Sequence, residues 1–372
     1  MKIGVLKEVK NHEYRVGLVP SSVKELKLHD HQVIVENNAG IGSGFSNQDY
    51  INAGADIVED AKSIFAQAEM IIKVKEPQSH ERKMLRHDQI LFTYLHLAPD
   101  YEQTQDLIES GAVCIAYETV TDDNGGLPLL APMSEVAGRM SIQAGAMALE
   151  KSKGGSGVLL GGVPGVAPAK VVIIGGGMVG SNAALMAVGL GADVTILDKN
   201  LTVLRRLNDQ FGCKIKTIYS TADAIECHVT SADLVIGGVL IPGATAPKLV
   251  TEAMIKAMSS GSAIVDVAID QGGCIATSKP TTHQKPTYIV HDVVHYCVAN
   301  MPGAVARTST FALNNATLPY IIELANLGYK KALLKNIHLL NGLNVIHGNI
   351  TCSEVAHAHK LNFIDPTEML IN

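Results

Sequence analysis

The chain has 372 residues, 47% hydrophobic and 18% charged, which is too long for one small core and predicts a packed two-domain globular protein rather than a disordered one. A net charge of −6 leaves no basic surplus for nucleic acid or acidic lipid. Cys114, Cys213, Cys227, Cys274, Cys297 and Cys352 are scattered and form no C-x-x-C pair, so neither a zinc site nor a disulfide framework is expected, and reduced thiols are.

The N-terminus, Met1-Lys2-Ile3-Gly4-Val5-Leu6-Lys7-Glu8, reads as a strand with early charges and no signal-peptide h-region. A soluble cytoplasmic protein is therefore expected. Up to about residue 130 short apolar runs alternate with helical patterns, as in parallel βαβ units. Candidate strands are 2–6, 32–36, 69–75, 89–95 and 113–117. Candidate helices are 21–29, 47–53, 60–66 and 100–110. A long helix pattern over 133–151 suits a connection between domains, and the Gly/Pro-rich segment 154–168 follows it.

The next segment is the most informative. An apolar strand, Val171-Val172-Ile173-Ile174, runs into Gly175-Gly176-Gly177-Met178-Val179-Gly180, and a second strand ends in Asp198. Each part has a separate job in holding a dinucleotide. Gly175 permits the sharp exit from the strand, Gly177 the close approach of backbone to a pyrophosphate, and Gly180 the packing of helix on sheet. The helix N-terminus offers N–H groups to the phosphates, and Asp198 accepts from the adenosine ribose. The run 171–192 also carries no charge, as a membrane span would not. Its six glycines, Ser181, Asn182 and the lack of basic flanks argue against that reading.

Further strands of this second unit are expected at 193–197, 215–218, 234–236, 263–267 and 288–291. A helix-rich stretch begins at 306 and runs to about 327. The last sixty residues cannot form a domain alone and should return to the first unit. The fold class is thus α/β, with two Rossmann-like, doubly wound parallel-sheet domains. A cofactor domain (131–305) is inserted into a discontinuous substrate and catalytic domain (1–130 plus 306–372).

Ligands of open parallel sheets sit beyond the carboxyl ends of strands. Arg15 lies in the loop after the first strand, Lys75 ends the strand 69–75, and His96 follows the strand 89–95, so all three fall at one predicted edge. Two cations and an imidazole suit a small carboxylic acid whose neighbouring carbon exchanges protons. Each also has a plain reading: surface charges for Arg15 and Lys75, and a structural histidine for His96, one of 14. Asp270 follows a strand and precedes Gly272-Gly273, so it is either a turn former or a proton shuttle. Asn300-Met301 follows a strand near the expected nicotinamide, and Val239 and Leu240 either pack on cofactor rings or fill the core. Asp198 would repel the 2′-phosphate of NADP, which favours NAD. No metal constellation stands out.

With these residues in view, the whole sequence resembles the L-alanine dehydrogenases. The resemblance is carried by Lys7-Glu8, Glu13-Tyr14-Arg15-Val16, Val74-Lys75-Glu76-Pro77, Tyr94-Leu95-His96-Leu97-Ala98, the segment 171–198, Asp266-Val267-Ala268-Ile269-Asp270-Gln271-Gly272-Gly273 and Asn300-Met301-Pro302-Gly303. It implies reversible oxidative deamination of L-alanine by NAD to pyruvate and ammonium. Arg15 and Lys75 would hold the substrate, with His96 and Asp270 as the acid/base pair. Cofactor contacts would include Ser134, Met178, Val179, Asp198, Ser220, Val239, Leu240, Val267, Ala268, Ile269, Asp270, Lys279, Val298, Ala299, Asn300 and Met301. The family position matching Val203 often carries a basic residue near the adenosine ribose; here it is valine, so no polar role is assigned to it. The resemblance also implies a homo-oligomer, commonly a hexamer. Rival readings are the soluble NAD-binding subunit of a proton-translocating transhydrogenase, a saccharopine-type dehydrogenase, and a catalytically silent NAD sensor.

Overall fold

The computed structural model describes residues 1–239 and 246–371. The chain divides into two compact units: Met1–Met133 with Val305–Asn372, and Ser134–Ala304. The first unit contributes β1 (Lys2–Val5), β2 (Gln32–Glu36), β3 (Asp56–Val58), β4 (Met70–Ile72), β5 (Ile90–Thr93) and β6 (Val113–Ala116). The second holds β7 (Lys170–Ile174), β8 (Asp193–Asp198), β9 (Ile215–Tyr219), β10 (Leu234–Gly237), β11 (Ala263–Asp266), β12 (Thr287–Val290) and β13 (Val293–Tyr296). The returning segment adds β14 (Leu343–Ile346) and β15 (Asn349–Ile350) to the first sheet.

Both sheets are doubly wound around a central reversal. The first runs β15-β14-β6-β5-β4-β1-β2-β3, and the second β12-β13-β11-β10-β7-β8-β9. Strands β1 to β6 pair in parallel, as do β7 to β11 with β13. Strand order turns back between β1 and β4 in one sheet and between β7 and β10 in the other, and such points are where ligands of these sheets bind.

The continuous apolar strand runs follow from burial on both faces. Ile3, Val5, Met70, Ile72, Ile90 and Phe92 enter one core layer, while Ile71, Leu91 and Cys114 enter the layer on the opposite face. In the second unit Val171, Ile173, Val194 and Ile196 fill one layer and Val172, Ile174, Leu197 and Val235 the other. Side chains alternate at each step along a strand, so each sheet requires two cores.

Several elements differ from the sequence expectation. The strand expected over 69–75 is regular only over Met70–Ile72. Lys73 and Val74 still bond to the backbone of Phe92 and Tyr94 at 3.4 Å, but the Glu8 carboxylate takes the N–H groups of Val74 (2.7 Å) and Lys75 (3.3 Å). The strand at 288–291 is an antiparallel edge strand, not a parallel one. It turns through His291 (φ 51°) and Asp292 (φ 60°) into β13. Two successive left-handed residues are the signature of a type I′ hairpin, whose usual Asn-Gly cue is missing here. The helix beginning at Ala306 continues to Lys335, past a break at Gly328 (φ 72°, ψ 156°). Among the described residues, no helix is long and apolar enough to cross a membrane.

The returning helix Ala306–Lys335 fixes the loop after β1. Asn314 Oδ1 accepts from the Val19 N–H (2.9 Å) and the Ser22 hydroxyl (2.7 Å), and its Nδ2 donates to the Gly17 carbonyl (3.3 Å). The Thr310 hydroxyl accepts from the Val16 N–H (3.3 Å). These bonds hold the segment on which Arg15 sits.

Candidate functional site

In the first unit β1, β4 and β5 are immediate neighbours. Arg15, Lys75 and His96 follow their carboxyl ends in turn, so residues far apart in sequence share one sheet edge. Arg15 is buried, and its guanidinium is clamped by Glu13: Nε donates to Oε1 at 2.7 Å and Nη2 to Oε2 at 2.5 Å. Nη1 reaches the Met133 sulfur at 3.0 Å. Two parallel bonds to one carboxylate set the plane of the guanidinium.

Lys75 is half-buried. Two residues earlier, Lys73 is fully buried, with its ammonium 2.8 Å from Glu81 and 3.4 Å from Glu8. Burial opposes the charge, but the two carboxylates raise the Lys73 pKa above its ordinary value and keep it an ammonium. Glu8 thus ties the buried ion triad to the backbone of Lys75.

His96 follows β5 with its backbone in the left-handed region (φ 51°). Glu118 holds it there. Glu118 Oε1 accepts from the His96 N–H at 2.6 Å, both its oxygens accept from Leu95 at 3.2 Å, and Oε1 lies 3.7 Å from His96 Nδ1. The imidazole is 47% exposed and stacks parallel on Tyr94, with centroids 5.8 Å apart and planes 2° from parallel. The Tyr94 hydroxyl is anchored on the Leu129 carbonyl at 2.6 Å. The imidazole is therefore oriented from below and accessible from above, as a proton-transfer group needs to be.

In the second unit the glycine turn lies at the reversal between β7 and β10. Gly175 is left-handed (φ 97°), and a Cβ there would meet the Gly238 carbonyl oxygen at 2.8 Å. Gly177 caps the helix Met178–Gly189 without a side-chain hydrogen bond, and the space where its Cβ would stand is open within 4 Å. A helix start with N–H groups facing an open cradle fits the pyrophosphate of a dinucleotide. Asp198 ends β8, where Oδ2 accepts from the Gly176 N–H and Oδ1 from the Asn200 N–H, each at 2.7 Å. Each oxygen retains acceptor capacity suited to a ribose hydroxyl.

Most of the remaining cofactor candidates follow the carboxyl ends of strands in this sheet. Ser220 follows β9 and is buried, its N–H bonded to the Asp198 carbonyl at 3.0 Å. Val239 follows β10, and its γ-methyl approaches the Gly175 turn. Leu240 lies outside the described residues. Val267, Ala268, Ile269 and Asp270 form a 3₁₀ turn after β11, with Ala268 and Ile269 buried and Asp270 exposed. Val298, Ala299, Asn300 and Met301 follow β13. Val298 and Met301 are buried, and Asn300 is left-handed (φ 63°) with its carbonyl accepting from His283 at 3.1 Å. Lys279 is exposed and its N–H donates to the Tyr288 hydroxyl at 2.7 Å. Met178 is exposed, Val179 is buried, and Ser134 is half-buried on the helix Ala131–Ala148.

Residues not foreseen as functional now stand out: Glu13 and Glu118, which orient Arg15 and His96, and the Glu8–Lys73–Glu81 triad. Arg206 was likewise missed, and its Nη2 donates to the Gly176 carbonyl at 2.8 Å. Asp266, at the end of β11, is fully buried and accepts from the N–H groups of Cys274 (3.4 Å) and Ile275 (3.3 Å). It braces the base of the turn carrying Asp270.

The chain is similar to known proteins along both of its halves. Residues 4–137 match the family model described as alanine dehydrogenase/PNT, N-terminal domain, and residues 141–353 its C-terminal counterpart. The chain is 58% identical over 370 residues to an alanine dehydrogenase of Halomonas elongata and 56% identical over 373 residues to one of Methanococcus maripaludis, with 100% of both chains covered in each case. A solved L-alanine dehydrogenase superposes with a TM-score of 0.94 at 54% identity, over 97% of this chain and 99% of that one. A transhydrogenase from Sinorhizobium meliloti shares the fold, with a TM-score of 0.80 at 24% identity over 95% of this chain and 99% of that one. With both halves matched along nearly their whole length and the glycine turn and strand-end cations standing where the fold binds ligands, the chain belongs to the alanine dehydrogenase/PNT family.

Proposed function

We propose that this protein catalyses the reversible, NAD-dependent oxidative deamination of L-alanine: alanine, NAD⁺ and water give pyruvate, ammonium, NADH and a proton. The observation that carries this reading is the convergence of Arg15, Lys75 and His96 on three adjacent strand ends, in a chain whose other unit holds a glycine turn closed by Asp198. The first unit is the substrate and catalytic half, and the second the cofactor half.

Arg15 and Lys75 neutralise the substrate carboxylate and orient its α-carbon. Glu13 fixes the guanidinium plane, so little of that positioning has to be found during the reaction. Bound NAD⁺ supplies the hydride acceptor. His96, steadied by Glu118 and Tyr94, takes the proton of the water that adds to the imine carbon, and Asp270 assists as ammonia departs. Asp198 selects NAD over NADP, because a 2′-phosphate beside a carboxylate is repelled. The partners are small molecules, and the working form is a cytoplasmic homo-oligomer, hexameric by family resemblance. NADH formation measured with alanine, and then with a panel of amino and oxo acids, tests the assignment; no alanine-dependent NADH would overturn it.

A further inference from the structure

We propose that His87, Asp88 and His347 form a binding site for a divalent transition-metal ion at the edge of the first sheet opposite Arg15, Lys75 and His96. His87 and Asp88 precede β5, and His347 lies in the turn between β14 and β15. Strand β14 runs antiparallel to β6, with Ile346 paired to Val113 at the start of β6. Its end therefore meets the beginning of the parallel strands, away from the carboxyl edge that carries the proposed chemistry.

The three side chains form a compact donor set. His347 Nε2 is 2.7 Å from Asp88 Oδ1, and His87 Nδ1 is 3.2 Å from Asp88 Oδ2. One donor atom from each residue lies within 4.8 Å of the others, the one such cluster of three found among the described residues. The two imidazoles stack with centroids 4.7 Å apart and planes 11° from parallel, and the Tyr329 hydroxyl donates to Asp88 Oδ1 at 2.9 Å. The placement is built by backbone as well as side chains. Asp88 (φ 64°) and His347 (φ 47°) are both left-handed, a conformation costly for residues with a Cβ and often kept for a local purpose. Gly111 makes room for the His87 ring, whose Cδ2 would be 2.8 Å from a Cβ there. The break at Gly328 immediately precedes Tyr329, which supports the carboxylate.

Two imidazoles and a carboxylate suit Zn²⁺, Co²⁺ or Ni²⁺, and partial exposure leaves the other positions to water. An ion about 2.1 Å from each donor in tetrahedral geometry needs donors about 3.4 Å apart, so the side chains must close on it from separations of up to 4.8 Å. The exposed His87 and Asp88 side chains are free of core packing, which leaves them room to make that adjustment. The bound ion would replace the shared hydrogen bonds and tie the turn before β5 to the β14–β15 turn.

The test uses metal-stripped full-length protein. Zn²⁺ is titrated by calorimetry, and Co²⁺ is followed by visible absorption and by paramagnetic shifts of histidine ring protons. We expect one Zn²⁺ per chain, at least a tenfold loss of affinity in each of His87→Ala and His347→Ala, and no change in His291→Ala, which removes a different surface histidine–glutamate pair. Zn²⁺ should raise the melting temperature of the wild type and not of the His87→Ala/His347→Ala variant. Should either substitution prevent folding, the Co²⁺-shifted ring protons of the wild type alone identify the ligands. Wild type that takes up no stoichiometric Zn²⁺, or a double variant that binds it as tightly, would overturn the site. Neither readout depends on the alanine dehydrogenase reaction.

Discussion

A Cβ added to Gly180 would fall 1.8 Å from the carbonyl oxygen of Gly175. The helix that begins at Met178 is packed this tightly onto the end of β7, so close backbone contact helps aim its N-terminus. Alanine normally favours a helix over glycine by about 1 kcal/mol. Here the sign reverses: Gly180→Ala should cost about 1–3 kcal/mol or more in stability through overpacking and weaken NADH binding at least tenfold. Gly177→Ala, with open space around it, should keep its melting temperature within a few degrees and lose mainly cofactor affinity. Thermal melts paired with NADH fluorescence titrations separate the two cases.

His96→Ala should lower kcat by about 100-fold or more, the usual scale for a proton-transfer group, while NADH binds as before. Glu118→Gln keeps an acceptor for the His96 backbone and removes the charge beside its ring, so a smaller loss of about tenfold is expected. Steady-state kinetics with cofactor titration would show it. Equal losses of turnover and NADH affinity in His96→Ala would overturn the role of the imidazole.

Lys73 is the counter-ion to two buried carboxylates. Lys73→Met should destabilise the fold by about 3–5 kcal/mol, the scale for stranding buried charge, even though methionine fills much the same volume. Urea unfolding measures the cost. The double variant Glu8→Gln/Lys73→Met should recover part of it if charge rather than packing is responsible.

Asp198→Ser should lower the ratio of kcat/KM for NAD to that for NADP by at least about tenfold, since it removes both a ribose acceptor and the repulsion of a 2′-phosphate. The Gly176 N–H also loses its partner, so some affinity for NAD should fall in parallel. Kinetics with the two cofactors decide it.

His295 gives a pH signature. It is fully buried in β13, with Nδ1 on the Val293 carbonyl (2.9 Å) and Nε2 on the Thr277 hydroxyl (2.7 Å). Burial pushes its pKa below 6.5. Between that lowered value and 6.5 the unfolded chain binds more protons than the folded one, so stability rises with pH. The contribution is complete above 6.5 and is lost as pH falls toward the folded value. Unfolding free energies from pH 7.5 down to about 5 should show a steeper decline in wild type than in His295→Gln. Parallel slopes would assign the decline to other groups.

The legible parts of this molecule were those whose cause is local. Gly175, Gly177, Gly180 and Asp198 each serve a turn, an approach or a strand end within one βαβ unit, so spacing alone conveys them. Arg15, Lys75 and His96 could be gathered because parallel strands present their carboxyl ends on one side. What escaped depends on distance. Glu118 reaches back 22 residues to His96 and Glu8 reaches 66 to Val74, and neither leaves a periodic trace. Strand β13 was hidden because His291-Asp292 makes the tight turn without glycine. The His87–Asp88–His347 cluster joins residues 259 apart, so no spacing rule for metal ligands applies.

The interrupted layout of the first unit also sets an order of events on the ribosome. Residues 134–304 have their whole sheet in hand once they emerge, and can fold as a unit while synthesis continues. The N-terminal half of the other sheet must wait: its β6 edge lacks β14, and the loop bearing Arg15 lacks Asn314 and Thr310, until the last stretch of the nascent polypeptide arrives. On the function proposed above, competence to bind the redox carrier would be acquired before competence to grip the amino acid.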